Sequence, residues 1–348
     1  MSTTNVPHPQ TYTLAVLELQ SPPTPPSTGT GTDTSPVVIV TTTHKDANTI
    51  LLDYPPGAYT AMRTFSCLGI MDFSGHVTRI ANSLSQIHFP ESDRITAGED
   101  VDVESEELDV KEGLASFRDP GSLKVVVADV VRKALRAYFA VKENGEAGSE
   151  AKVTVLCTWN VKGHVPALLA HAEPLKVPKE RRCKVKVHGS PRHHATAKDS
   201  QWVRDRAALE ATLSKDTNEG LLLDEASQNL YEGLSSNFYA FDRKSQSVVT
   251  APLDSVLQGT ILKVVLAVCE KQKIPVQFKF PNLRDIDHWE GAFITSTSRL
   301  VLPIETIILP DGSEKKFGES PAIELIRFHV LQECQRRVEA LLTAQDLE

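Results

Sequence analysis

The chain has 348 residues, 41% hydrophobic and 24% charged, an ordinary composition for a soluble globular protein that buries its core without disulfide staples. Its 37 Lys and Arg against 45 Asp and Glu leave a net charge of −8, which argues against a nucleic-acid or anionic-membrane surface. No apolar run reaches the roughly 20 residues that span a bilayer, and the first basic residues are Lys45 and Arg63, so neither a membrane anchor nor an Arg-rich leader is expected and the cytoplasm is the expected location.

In chain order, residues 21–35 are rich in Pro, Ser, Thr and Gly and read as a flexible loop. Pro36–Thr42 and Thr49–Leu52 are β-type runs. The stretch 92–111 is acidic and free of aromatic residues, a solvated surface insertion. A helix is expected from a Ser122 cap, with Val127, Val130, Val131, Ala134 and Tyr138 on its buried face. Lys152–Trp159 alternates as a strand, with Val153, Val155, Cys157 and Trp159 on one side. Polar sequence over 172–182 marks a domain boundary near 180. A strand near Lys184 follows, then strands at Leu221–Leu223 and Phe238–Phe241. Next come a helix over Gly259–Gln272, with Ile261, Val264, Val265 and Val268 buried, and a short apolar segment at Gly291–Thr295. The last helix starts at Ser320 with Pro321 in its first position, and its stripe is Ile323, Ile326, Val330, Cys334 and Val338. The mixture predicts an α/β or α+β fold of two domains.

The five cysteines, at 67, 157, 183, 269 and 334, form no C-x-x-C pair and read as reduced, mostly buried thiols. Phosphate-binding, nucleophile-elbow and zinc-protease signatures are absent. His193 and His194 are adjacent, so their side chains diverge; a polar loop is expected there and no metal site. Four features remain: Lys198 in AKDSQWVRDR, Tyr231–Phe238 (YEGLSSNF), Leu257–Leu266 (LQGTILKVVL) and Phe293–Pro303 (FITSTSRLVLP).

Together and in this order, they resemble the class IV aminotransferases, the family of branched-chain and D-amino-acid aminotransferases and aminodeoxychorismate lyase. In that family a lysine is followed by an E-G-x-x-x-N segment, a Gly-led helix start and a Ser/Thr loop before a proline. Glu232 lies 34 positions after Lys198, the family's usual spacing, and Asn237 completes the E-G-x-x-x-N pattern. YTAMRTF (59–65) and GHVTRIANSL (75–84) resemble segments of the family's small domain, and Lys198, Ser200, Trp202, Val203 and Arg206 resemble a eukaryotic aminotransferase-like subgroup.

The resemblance implies a two-domain fold-type-IV enzyme that uses pyridoxal 5'-phosphate (PLP): a small N-terminal α/β domain over 1–180 with insertions near 21–35 and 92–111, and a larger PLP-binding domain with a mixed sheet over 181–348. It implies a homodimer that moves an amino group between an amino acid and a 2-oxo acid. Alternatives within the fold are a lyase of the aminodeoxychorismate lyase type and a non-catalytic descendant. By resemblance, Lys198 forms the Schiff base (aldimine) and then shuttles a proton, and Glu232 keeps the pyridine nitrogen protonated. Asn237 belongs to the same cofactor set. The helix start Gly259–Thr260–Ile261 offers amides to the phosphate, with Thr297 and Arg79 as further donors. Tyr59, Arg63, Arg192 and Arg206 are substrate candidates, with core packing the alternative for Tyr59 and a structural ion pair the alternative for Arg206. Two positions depart from the family: Val203 stands where many members have a Tyr, and Ile261 where branched-chain members have a Thr.

Overall fold

Where each element begins is set by local chemistry, and this corrects three of the expectations above. The computed structural model describes residues 11–18, 37–89, 110–141, 149–160, 165–178 and 180–346. Loop 21–35 and nearly all of 92–111 lie outside the described residues; Lys111, at its end, is helical. The chain divides into two units, one of residues 1–70, 77–175 and 340–348, the other of 71–76 and 176–339.

In the first unit, strands β1 (Tyr12–Glu18), β2 (Val37–Thr43), β3 (Gly57–Phe65), β4 (Gly69–Met71), β5 (Ala151–Asn160) and β6 (Val165–Pro174) form a sheet. Its order is β4-β3-β5-β6-β1-β2. The pairings among β1 to β6 are antiparallel. The expected strand at Thr49–Leu52 is instead part of a helix, α1 (Ala47–Asp53). The Asp46 carboxylate accepts from the Thr49 amide and starts it, because a short apolar run carries no period that separates strand from helix. Helix α2 spans Phe73–Leu84. The long helix α3 (Pro120–Phe139) is capped by Asp119, which accepts from the Ser122 amide, and not by Ser122; Pro120 holds the first turn, where its missing N–H costs nothing. Its Val127, Val130, Val131, Ala134 and Tyr138 are buried as the 3.6-residue spacing requires. On β5 both faces are covered: Val153, Val155, Cys157 and Trp159 are buried, and so are Thr154, Leu156 and Thr158.

The second unit is a nine-stranded mixed sheet of β7 (Cys183–Val187), β8 (Glu219–Asp224), β9 (Asn229–Gly233), β10 (Asn237–Asp242), β11 (Ser247–Thr250), β12 (Val276–Phe278), β13 (Trp289–Ser296), β14 (Leu300–Ile308) and β15 (Glu314–Lys316). The order is β12-β11-β10-β13-β14-β7-β8-β9, with β15 on β14. β9 also pairs with β10, so the path from β10 through β13, β14, β7 and β8 closes on itself. Val185, Leu221, Phe238, Ile294, Leu302 and Trp289 share its core. Helices α4 (Thr260–Lys271) and α5 (Pro321–Arg336) belong to this unit. Ser320 caps α5 as expected, but Val338 falls beyond the helix in a strand. All five cysteines are free thiols and four are buried. Among the described residues no helix is long and apolar enough to cross a membrane.

Candidate functional site

The hairpin that closes the second unit's sheet carries Glu232 and Asn237. Glu232 is the penultimate residue of β9 and Asn237 the first of β10, and their Cα atoms pair across the hairpin. The reversal is tight: the Gly233 amide donates to the Ser236 carbonyl at 2.7 Å, and a Cβ on Gly233 would sit 2.3 Å from Ser236 Oγ. Both side chains are buried. Both turn to one residue: the Leu257 amide donates to Glu232 Oε2 at 3.2 Å, and Asn237 Nδ2 donates to the Leu257 carbonyl at 2.7 Å.

That double grip fixes the start of α4. The Gly259 amide donates to the same Leu257 carbonyl at 2.8 Å. Gly259 then passes so close to Asn237 that a Cβ would lie 2.4 Å from its Oδ1. No side chain caps α4, and the side chains of Thr260 and Ile261 are buried. What the first turn offers is its backbone N–H groups at the positive end of a helix dipole, the arrangement that binds a phosphate. The departure at Ile261 therefore leaves the amide donor in place.

Thr297 lies in the turn between β13 and β14. β13 brings this turn to the hairpin: Thr295 pairs with Asn237, and its hydroxyl bonds the Tyr239 hydroxyl at 3.1 Å. Burial pushes the Tyr239 phenol well above the ordinary range, so it stays neutral. Arg299 ties the two turns together, donating to Glu219 Oε2 at 2.8 Å and to Ser235 Oγ at 2.7 Å. The Ser235 and Ser236 hydroxyls donate to the same carboxylate at 2.7 and 3.0 Å. Sequence reading missed this cluster. The signal was present, since Glu219 opens an apolar strand and Arg299 ends a Ser/Thr run, and charges at such edges call for partners.

Lys198 is half-buried in the loop after β7, ahead of a short helix at Gln201–Asp205. That helix docks on the hairpin: Trp202 Nε1 and Arg206 Nη1 both donate to the Leu234 carbonyl, at 2.8 and 3.1 Å. Val203, in place of the family's Tyr, is buried. Arg192, expected beside the substrate, is paired with Glu232: its Nε donates to Glu232 Oε1 at 2.8 Å and its Nη2 to the Ala195 carbonyl. Burial raises the Glu232 carboxyl above its ordinary value; Arg192, the Leu257 amide and Lys198 oppose the rise.

The second unit thus brings together Lys198, Glu232, Asn237, Gly259, Thr260 and Ile261, with Thr297 in a turn joined to the same hairpin. Tyr59, Arg63 and Arg79 belong to the first unit. Tyr59 is buried on β3, the Arg63 guanidinium lies 4.7 Å over the Phe65 ring, and Arg79 donates to Thr60. His193 and His194 are exposed in a turn, and among the described residues no His, Cys, Asp and Glu group is arranged to hold a metal ion. An amine, a buried carboxylate and the backbone amides of a helix start are what an aldehyde, a pyridine nitrogen and a phosphate require, so the donor set of this unit fits PLP.

A family model, Amino-transferase class IV, matches residues 57–307. The fold is similar to that of a branched-chain aminotransferase from Thermoproteus uzoniensis, solved with norvaline (TM-score 0.61, 17% identity, covering 87% of this chain and 97% of that one). It is similar to the branched-chain amino acid aminotransferase from Escherichia coli (TM-score 0.56, 14% identity, 84% and 92% covered). It is also similar to a hypothetical aminotransferase from Mycobacterium tuberculosis in its PLP-bound form (TM-score 0.55, 14% identity, 79% and 87% covered). No curated protein sequence matches the chain.

Proposed function

Since this chain belongs to the class IV aminotransferases, a PLP-dependent enzyme family, we propose that it carries PLP on Lys198 and transfers an amino group between an amino acid and a 2-oxo acid. The observation that carries the residue assignment is the double grip on Leu257. Glu232 and Asn237 align the open amides of α4, and the electrostatic reach of Lys198 extends to the same carboxylate.

PLP, when bound, supplies an electron sink for the charge left by a departing Cα proton. The chain's own residues do the rest. Glu232, when ionised, would accept a hydrogen bond from the cofactor's protonated ring nitrogen and keep the sink strong. The amides of Thr260 and Ile261 would hold the phosphate with the helix dipole, and the Thr297 hydroxyl would add a donor. The Lys198 amine would attach the cofactor and, once freed, would hold the proton that leaves Cα and deliver it to the cofactor's C4′ carbon, two atoms along. Asn237 acts through the Leu257 peptide.

The test is absorption spectroscopy. Purified protein given PLP should gain a visible band that shifts on adding amino acids. In Lys198→Ala the covalently attached band should be absent while the fold, by circular dichroism, is retained. A wild-type chain that takes up no PLP would sink the proposal. Screening amino donors and 2-oxo acceptors by the same shift names the substrates. A homodimer in the cytoplasm goes with this reading.

A further inference from the structure

Arg192 is held too completely to serve as a substrate grip. Its side chain is 7% exposed and that of Glu232 is 6% exposed, so the pair is almost wholly withdrawn from water. The guanidinium spends Nε on Glu232 Oε1 and Nη2 on the Ala195 carbonyl, and lies 5.6 Å over the Trp202 ring. Trp202 is itself pinned to Leu234. Three different contacts orient the planar group, and a guanidinium has a rigid fork that a lysine amine lacks.

We propose that Arg192 is a positioning residue: it keeps Glu232 ionised in a buried setting and points its carboxylate at the ring nitrogen of PLP. The inference rests on the cofactor reading above. The physical need is direct. A carboxyl taken out of water tends to keep its proton, and a neutral acid cannot hold a protonated pyridine nitrogen. Burial does act on Glu232 in that direction, with Arg192 the largest influence against it. Arg cannot lose its own charge in a protein, so it is a compensating cation that no pH in the working range removes. The Leu257 amide fixes Oε2 and Arg192 fixes Oε1, and each oxygen keeps one acceptor site for the ring nitrogen. Lys198 acts on Glu232, the neutral Tyr239 phenol senses it, and Asp199 senses Arg192.

The experiment compares wild type, Arg192→Gln, Arg192→Lys and Arg192→Gln/Glu232→Gln, each as the full chain. The first readout is thermal melting between about pH 5 and pH 9 before PLP is added. Glu232 has its folded value raised, so the stability it contributes is present at low pH and is lost as pH rises through that value. Removing the compensating cation raises it further. Arg192→Gln should therefore melt lower than wild type by a margin that grows with pH, and the added Glu232→Gln should abolish the pH-dependent part. The second readout is PLP titration. Arg192→Gln should weaken PLP binding about tenfold, the equivalent of one unit of pKa, and change the pH at which the bound cofactor's visible band titrates. Arg192→Lys should restore that titration in part. A constant melting difference across pH, with a wild-type visible titration, overturns the proposal. So does an Arg192→Gln protein whose only defect is weaker amino-acid binding, which would return Arg192 to the substrate. A wild type that takes up no PLP overturns the cofactor reading instead, and the melting readout still reports on the ion pair.

Discussion

Asn237 illustrates how a residue in a family signature acts through one peptide group. Its amide donates to the Leu257 carbonyl while Glu232 takes the amide of the same residue. Asn237→Ala leaves that carbonyl without this donor in a buried site, at a cost of about 1–3 kcal/mol. Urea denaturation should show this loss, and fluorimetric titration should show weaker PLP binding with Lys198 untouched. Unchanged PLP affinity would remove Asn237 from the cofactor set. The spacing of Lys198, Glu232 and Asn237 was legible in the sequence because a motif is a fixed offset along the chain. The partner of Arg192 was not, because it lies 40 positions away and on a different element. Nothing in HGSPRHHAT distinguishes an arginine that binds a carboxylate of the substrate from one that binds a carboxylate of its own chain.

At the scale of elements, the turns around the site are fastened by Arg299 and Glu219. The carboxylate is buried at 3% side-chain exposure and the guanidinium at 19%. Arg299→Met strands a buried charge whose other donors are the hydroxyls of Ser235 and Ser236 and the Gly220 amide, and should cost about 1–3 kcal/mol. Glu219→Gln in the same chain should recover part of it, and a chemical-denaturation cycle over the four proteins reads the coupling. Independent, additive effects would mean that the two turns are not fastened to each other. Helices with a long apolar period, such as α3 and α4, were legible because 3.6-residue spacing over three turns or more has no strand equivalent. Short elements were not. The run at Thr49–Leu52 carries β-type residues yet is helical, since the Asp46 cap and the burial of Ile50 and Leu51 decide it. Val338 fits the spacing of α5 but falls where the chain has already left the helix and entered a strand.

For the whole molecule, the resemblance implies a homodimer. The full chain should elute and scatter light as a dimer at micromolar concentration; a monomer under those conditions, with PLP bound, would remove the dimer and leave the fold and the family intact. The sequence by itself determined the family, the class of fold and the candidate cofactor lysine. Those depend on composition, on periodicity within one element and on residue offsets along the chain, all of which are one-dimensional quantities. The tertiary structure alone decided which groups are paired. Closure of the second unit's sheet brings Glu232 and Asn237 face to face, and the seating of Leu257 between them and the commitment of Arg192 to Glu232 arise from contacts between residues 20 to 40 positions apart. Such contacts form only when burial makes an unpartnered charge or amide costly, and burial is a property of the folded chain.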